Sequence, residues 1–504
     1  MSATLHSVQL NNLYPQPLWQ WFNQICAIPH PSKHEAELKA FIQAWADKQG
    51  IECIEDKIGN LILRKPATAG MADRKPVVIQ AHLDMVPQAN RDTQHDFTQD
   101  PIRPYLIEET EAGITEQWVT ATGTTLGSDN GIGMASALAV LGAEDIAHPA
   151  LEVLLTVDEE AGMTGAFGLA PGLLNAEILI NTDSEQEGEI YMGCAGGVDA
   201  EFVFDTQQTP LQSPHDKYTV KLTIAGLKGG HSGCNIELGR ANAIKLLAQF
   251  CTLYQDELAF DIVSVQGGTL RNAIPRESEL VFVLDHCHIK ALDKCVEAFK
   301  QNIKKTYQFS DPNISISYEE QSNPSAVFAK TAQYKLIAFL QACPNGVMRM
   351  SDEIKGVVES STNMGVLTCN ENSVSLLCLI RSLDDIGRLD IQNMHAALAK
   401  LANIDAVFSG AYPGWKPDNS SEIMAVVRDV YEDLYQRKPE IMVIHAGLEC
   451  GLFKAPYPEL DMVSIGPTIR YPHSPDEKVN VRTVGLYWQL LLALLSNIPL
   501  RDQV

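Results

Sequence analysis

The chain lacks a basic leader and any long apolar run. Its opening, MSATLHSVQL, has neither the positive start nor the apolar stretch of a secretory signal, and the longest apolar run near the other end, LLLALL, is far shorter than the ~20 residues a bilayer span needs. No signal peptide or membrane helix is therefore expected. Cations are also scarce: 38 Lys and Arg stand against 63 Asp and Glu, a net charge of −25. Binding a nucleic-acid backbone needs clustered Lys and Arg, so nucleic acid is excluded as a partner. The acidic balance itself implies no more than solubility. Eleven cysteines are scattered, odd in number and without a C-x-x-C pair, which excludes a disulfide framework and a zinc knuckle and fits reduced thiols in a cytosol. The GIGMAS segment lacks the third glycine of a dinucleotide-binding turn, and GGHSGC carries Cys234 where a nucleophile elbow needs glycine. His286 and His288 in DHCHIK have no accompanying carboxylate pattern, so a surface or structural place is expected for them.

What is present is a series of acidic and histidine residues, most of them following apolar, β-branched runs. They are His82 and Asp84 in AHLDMV, Asp129 in LGSDNGIG, Glu159 and Glu160 in TVDEEAGMTGA, Asp183 in LINTDSE and His473 in YPHSPDEKV. Any one of these alone is most simply a satisfied polar group or a helix cap. Together, two neutral imidazoles and at least three carboxylates at strand ends are what a pair of divalent ions requires. In VVIQAHLDMV the two-residue period puts His82 and Asp84 on one side of a strand, where Asp84 can accept the second imidazole N–H of His82. The run EVLLTV reads as a buried parallel strand delivering Asp158, Glu159 and Glu160 to a turn at its carboxyl end, the place where open α/β sheets bind ligands. Two adjacent glutamates there can divide the work, one binding metal and one remaining a base.

The ordered series HLD, GSDNGIG, DEE-x-G-x-x-G, TDSE, GGHSG and HSPDE, running from about Ile28 to about Val481, resembles the co-catalytic zinc peptidase family of the aminoacylases and glutamate carboxypeptidases. Within it the closest likeness is to the branch of the bacterial aminoacyl-histidine dipeptidases. The resemblance implies that His82 and Asp183 bind one metal, Glu160 and His473 the other, and that Asp129 bridges them. It makes Asp84 the residue that orients His82 and Glu159 the general acid/base, and it implies a cis peptide between Asp129 and Asn130. The cofactors implied are two divalent ions per chain, zinc with cobalt or manganese able to substitute. Two such ions bring four positive charges against three from Asp129, Glu160 and Asp183, so a bridging water should ionise near neutral pH.

The expected activity is metal-dependent hydrolysis of unblocked dipeptides, including Xaa-His and extending to β-alanyl-histidine, by a metal-bridging hydroxide. An N-acyl amino acid amidohydrolase and a catalytically silent binding homologue are the alternatives; intact ligands and an intact Glu159 count against the second. The partners expected are a small peptide substrate and a second copy of the chain in a cytoplasmic homodimer.

A length of 504 residues with 45% hydrophobic content suggests two or three domains with substantial cores. The fold class expected is α/β: a mixed-sheet dinuclear zinc peptidase catalytic domain with an inserted two-part α+β lid. The polar stretch FDTQQTPLQSPHDK and the turn-rich GAYPGWKPDNSS flank the insertion, giving catalytic parts at 1–200 and 411–504 around a lid at 201–410. Two similar halves are legible in the lid: YTVKLTIAGL to ESELVFVL, then ISISYEE to SVSLLCLIRS. By resemblance the lid carries the substrate-binding residues His231, Asn272 and Arg381. His231 would stabilise the oxyanion, acting within its own subunit, and Arg381 would grip the C-terminal carboxylate. Ser360 and Asn363 are further candidates, and His445 and Glu449 in HAGLECG are expected to line the cleft.

Overall fold

The computed structural model describes residues 10–111 and 113–501. The chain forms two compact units. The first takes the described residues up to Gly193, Pro417–Val443 and those from Leu448 onward; the second takes Cys194–Lys416 and Ile444–Gly447. The sequence had suggested boundaries at 200/201 and 410/411, and it gave no hint that the 444–447 segment groups with the second unit.

The first unit is built on an eight-stranded mixed sheet. At its centre four strands lie parallel, in the order Leu151–Thr156, Val77–His82, Ile178–Asn181 and Asp461–Ser464. The first three are buried along their whole length, which is why their sequences read as continuous apolar runs. The register pairs His82 with Thr156, Gln80 with Asn181 and Asn181 with Ser464. Their carboxyl ends are therefore level, and each hands the chain to a loop on the same edge of the sheet.

The Ser128–Gly142 helix is buried almost throughout, and its chain kinks at Asp129 and Asn130. The glycines of GSDNGIG serve close packing: a Cβ on Gly133 would overlap Asn130 Oδ1 and Thr182 Oγ1, and one on Gly131 would press on the Phe22 ring. A separate four-stranded sheet contains Ile469–Arg470 and Lys478–Asn480, and the loop between these two strands carries His473. Among the described residues no helix is long and apolar enough to cross a membrane.

The second unit is organised around a nine-stranded antiparallel sheet. Half of it, Lys217–Ala225, Asp261–Gly267, Ser278–Asp285 and Ser315–Gln321, has spatial order fourth, first, third, second, with helices Ala243–Leu258 and Ile289–Thr306 as connections. The other half repeats that order with Gly196–Asp205, Val358–Cys369, Ser373–Ser382 and Ala406–Tyr412, connected by Lys330–Ala342 and Asp385–Leu401. The halves join where Gly267 pairs with Leu367. The division differs from the sequence reading. The ISISYEE strand completes the first half, pairing with Lys217–Ala225, and the second half begins earlier, at Gly196, so that one repeat is inserted inside the other.

Candidate metal centre

Five of the residues singled out in the sequence converge in the first unit as two trios that share one carboxylate. His82, Asp129 and Asp183 form one, and Asp129, Glu160 and His473 the other. His82 Nε2 lies 3.2 Å from Asp129 Oδ1 and 3.3 Å from Asp183 Oδ1. His473 Nε2 lies 3.2 Å from Asp129 Oδ2 and 3.1 Å from Glu160 Oε2. Asp129 thus turns one oxygen toward each imidazole, the disposition of a bridging ligand. Glu159 lies close by, its carboxylate grouped with His82 and Glu160.

Each side chain is held by identifiable contacts. Asp84 lies two residues beyond the strand that ends at His82, and the closer partner of His82 Nδ1 is its main-chain carbonyl at 2.9 Å; the carboxylate, expected to accept that N–H, is 3.5 Å away. The Asp84 carboxylate instead accepts from the backbone N–H groups of Glu159 and Glu160 at 2.9 and 3.1 Å and from Ser32 Oγ at 2.7 Å. It therefore ties the histidine strand to the glutamate turn. That turn begins with Asp158 at φ 55°, whose N–H is held by Glu35. The Asp129–Asn130 peptide is cis, and Asn130 Nδ2 donates to Asp183 Oδ1 at 2.5 Å.

The electrostatics call for cations. Burial, with Asp129 adding to it, lifts Glu160 to about 7; burial with Asp129 and Asp183 lifts Glu185 to about 8. Burial is also the main reason that Asp183 is raised and that Glu159 stands well above the usual carboxyl range, with Asp183, Glu449 and Glu160 adding to the effect on Glu159. Asp129 and Glu160 push His473 up to about 11, and Asp183, Asp129 and Asp84 overcome burial to hold His82 well above an ordinary imidazole. Glu160 Oε1 is buried without a hydrogen-bond partner among the described residues. A crowd of carboxylates around two imidazoles, with one buried oxygen orphaned, fits a pair of hard or borderline divalent ions bound through N and O donors.

Residues 78–497 match the model of the peptidase family M20/M25/M40. The chain belongs to that family. It is 52% identical to the cytosol non-specific dipeptidase of Escherichia coli K12 over 97% of its own length and 99% of that protein. It superposes on the crystal structure of an aminoacylhistidine dipeptidase from Vibrio alginolyticus with a TM-score of 0.89 at 55% identity, covering 98% of this chain and 99% of that one. Aminopeptidase PepT from Bacillus cereus, at 17% identity and a TM-score of 0.54 over 96% of this chain and 99% of that one, shares the fold.

Three further positions of this M20 peptidase, two of them given no role by the sequence, support or crowd the centre. Glu185 is one. Glu449, expected to line the cleft, is buried beneath the sheet edge, where Oε2 accepts from Gln80 and Thr156 at 2.6 and 2.8 Å and burial lifts the carboxyl to about 8. Glu477 was legible only as part of HSPDE. Its buried carboxylate accepts from the backbone N–H groups of Leu126, Gly127 and Ser128 and from the Ser128 hydroxyl, at 2.6–3.1 Å, pinning the turn that presents Asp129. Glu477→Ala orphans these donors at about 1–3 kcal/mol for each buried group left unsatisfied. A lower melting temperature and easier loss of metal on dialysis are the expected results; unchanged metal retention would sever Glu477 from the centre.

In the second unit, His231, Ser232 and Arg381 come together. Arg381, buried in a strand, contacts Ser232 Oγ at 3.4 Å, Tyr412 Oη at 3.3 Å and His231 Nε2 at 3.4 Å. None of these partners is anionic. His231 Nδ1 accepts the backbone N–H groups of Gly233 and Cys234 at 3.3 and 3.1 Å, and burial with the nearby guanidinium depresses its pKa to about 4. The neutral ring therefore carries its proton on Nε2. Asn272 is exposed in a loop whose flanking carbonyls, those of Arg271 and Ala273, accept from Asn363 at 3.1 and 2.8 Å. Ser360 is buried. His445 is buried in this unit beside Ser361 Oγ, at 2.7 Å, rather than in the catalytic part where the sequence reading had put it. His286 and His288 lie in a 3-10 turn.

Proposed function

We propose that the chain is a dipeptidase that cleaves unblocked dipeptides, Xaa-His among them, with His82, Asp129, Glu160, Asp183 and His473 holding two divalent ions. The observation that carries the reading is the pair of donor trios joined through Asp129, and the extensive identity with two dipeptidases supports the substrate class. Two ions held there would supply Lewis acidity to the scissile carbonyl and to the attacking water. Glu159, outside the shared trios and with its carboxyl raised by burial, takes the water's proton and hands it to the departing amine. No covalent intermediate is needed. Asp84 keeps His82 and the Glu159–Glu160 turn in register. Zinc as the resident metal, with cobalt or manganese able to replace it, a homodimeric state and a cytoplasmic location belong to the same proposal.

His231 and Arg381 present N–H donors side by side, an arrangement suited to a negatively charged oxygen. We assign Arg381 to the C-terminal carboxylate of the dipeptide, His231 to the oxyanion that develops at the scissile carbonyl, and Asn272 to substrate contact. Arg381→Met should lower kcat/KM for dipeptides by about 1.5–3 kcal/mol, the value of a hydrogen bond to a charged group. The loss should shrink for a dipeptide amide, which has no carboxylate to hold; equal losses for both would remove this role. The reaction itself is tested by assaying metal-loaded protein on panels of dipeptides and N-acyl amino acids. Cleavage of dipeptides is expected, whereas cleavage confined to N-acyl amino acids would make the chain an amidohydrolase.

A further inference from the structure

We propose that Cys343, Cys378 and His395 form a third metal site, separate from the dinuclear centre, that takes a thiophilic divalent ion such as zinc in a structural role. The three residues come from different elements of the second unit: the end of the Lys330–Ala342 helix, the Ser373–Ser382 strand and the Asp385–Leu401 helix. All are buried, at 1%, 0% and 0% exposure, and each offers a ligand atom within 4.8 Å of the others. No knuckle spacing announces them, because the two cysteines are carried by separate elements and not by one tight turn.

The orientation of the histidine is decisive. His395 Nδ1 lies 2.9 Å from the carbonyl of Ile391. A carbonyl can only accept, so the proton of the neutral ring is on Nδ1 and Nε2 presents a lone pair. That arrangement, one ring nitrogen tied to a backbone carbonyl and the other free, is how a metal-bound histidine is usually held. Nε2 is buried and makes no close hydrogen bond among the described residues, the Cys343 thiol being the group set against the ring. The ring is fixed by stacking on Phe202, with centroids 5.8 Å apart and planes 16° from parallel.

The sulfurs are free thiols 4.0 Å apart. Two thiolates each ~2.3 Å from a common zinc ion stand about 3.8–4.0 Å apart for tetrahedral to trigonal angles, so little movement is needed to bind one. The Pro344 carbonyl, 3.8 Å from Cys343 Sγ, is the neutral oxygen at hand for a fourth ligand. Two thiolates and a neutral imidazole leave a divalent ion with no net charge, the least costly state in an apolar core. Without an ion the same cluster is a pair of packed thiols with the Cys343 S–H turned toward His395, so the three donor atoms are gathered in either state. The bound ion would clamp two helices to the sheet of the interrupted half.

Cobalt separates this site from the dinuclear centre, because carboxylates and imidazoles cannot produce a thiolate-to-cobalt charge-transfer band. Protein purified from cobalt-supplemented cells should contain three ions per chain by elemental analysis and show that band in the near ultraviolet. Cys378→Ser should lose the band and one ion while keeping dipeptide hydrolysis within about twofold of wild type. Two ions and no band in the wild-type protein would overturn the proposal, and so would a band that survives both Cys378→Ser and Cys343→Ser. The wild-type spectrum decides the matter even where a variant fails to fold.

Discussion

Glu159→Gln is expected to lower turnover by roughly 100- to 10,000-fold, the usual effect of losing a general acid/base, while the metal content stays that of the wild-type protein. The substitution preserves the shape of the side chain and every residue of the two shared trios. Glutamine cannot take up and release a proton, so the loss should fall on kcat much more than on KM. Elemental analysis alongside steady-state kinetics separates this from a simple loss of ions. A variant that keeps most of its activity would leave Glu159 without the role proposed for it, and one that loses its metals would make it a ligand.

Exhaustive chelation is expected to abolish activity altogether, with zinc, cobalt or manganese each restoring it, since nitrogen and oxygen donors discriminate weakly among these ions. The two trios differ in exposure: the His82 side chain is 1% exposed and that of His473 50%. The ion held by Glu160 and His473 should therefore leave first, and His473→Ala should lose that ion selectively. Full activity in protein shown by elemental analysis to be metal-free would sink the two-metal reading, whatever the substrate.

The residues of the two trios were legible because each of the motifs is local. His82, Glu160 and Asp183 follow apolar runs that announce buried parallel strands, and the sheet brings such strand ends level. Support from distant segments was not legible. Glu477 binds a turn about 350 positions away in the chain, and the partners of Glu449 lie on strands some 290 and 370 positions before it. Nothing in their immediate neighbours states that they are buried. The Asp84 carboxylate was legible as a companion of His82, but its hold on Glu159 and Glu160 depends on the parallel pairing of two strands. The repeat in the second unit was visible as alternating apolar strands, yet its true division was hidden: pairing, not order along the chain, decides which half a strand joins.

That interruption has a consequence for synthesis. The Gly196–Asp205 strand pairs with Ser373–Ser382 on one side and Ala406–Tyr412 on the other, the first of which leaves the ribosome roughly 170 residues later, on the order of ten to thirty seconds at about 5–20 residues per second. The inserted repeat can close its own four strands during that interval, while Val198, Ala200, Phe202 and Phe204, destined for the core, wait on a strand with two open edges. Such an edge invites pairing with a neighbouring nascent chain. Synthesis on crowded polysomes is therefore when this protein is most exposed to aggregation, and a holdase that covers the waiting strand should raise its soluble yield more than one acting on the finished chain.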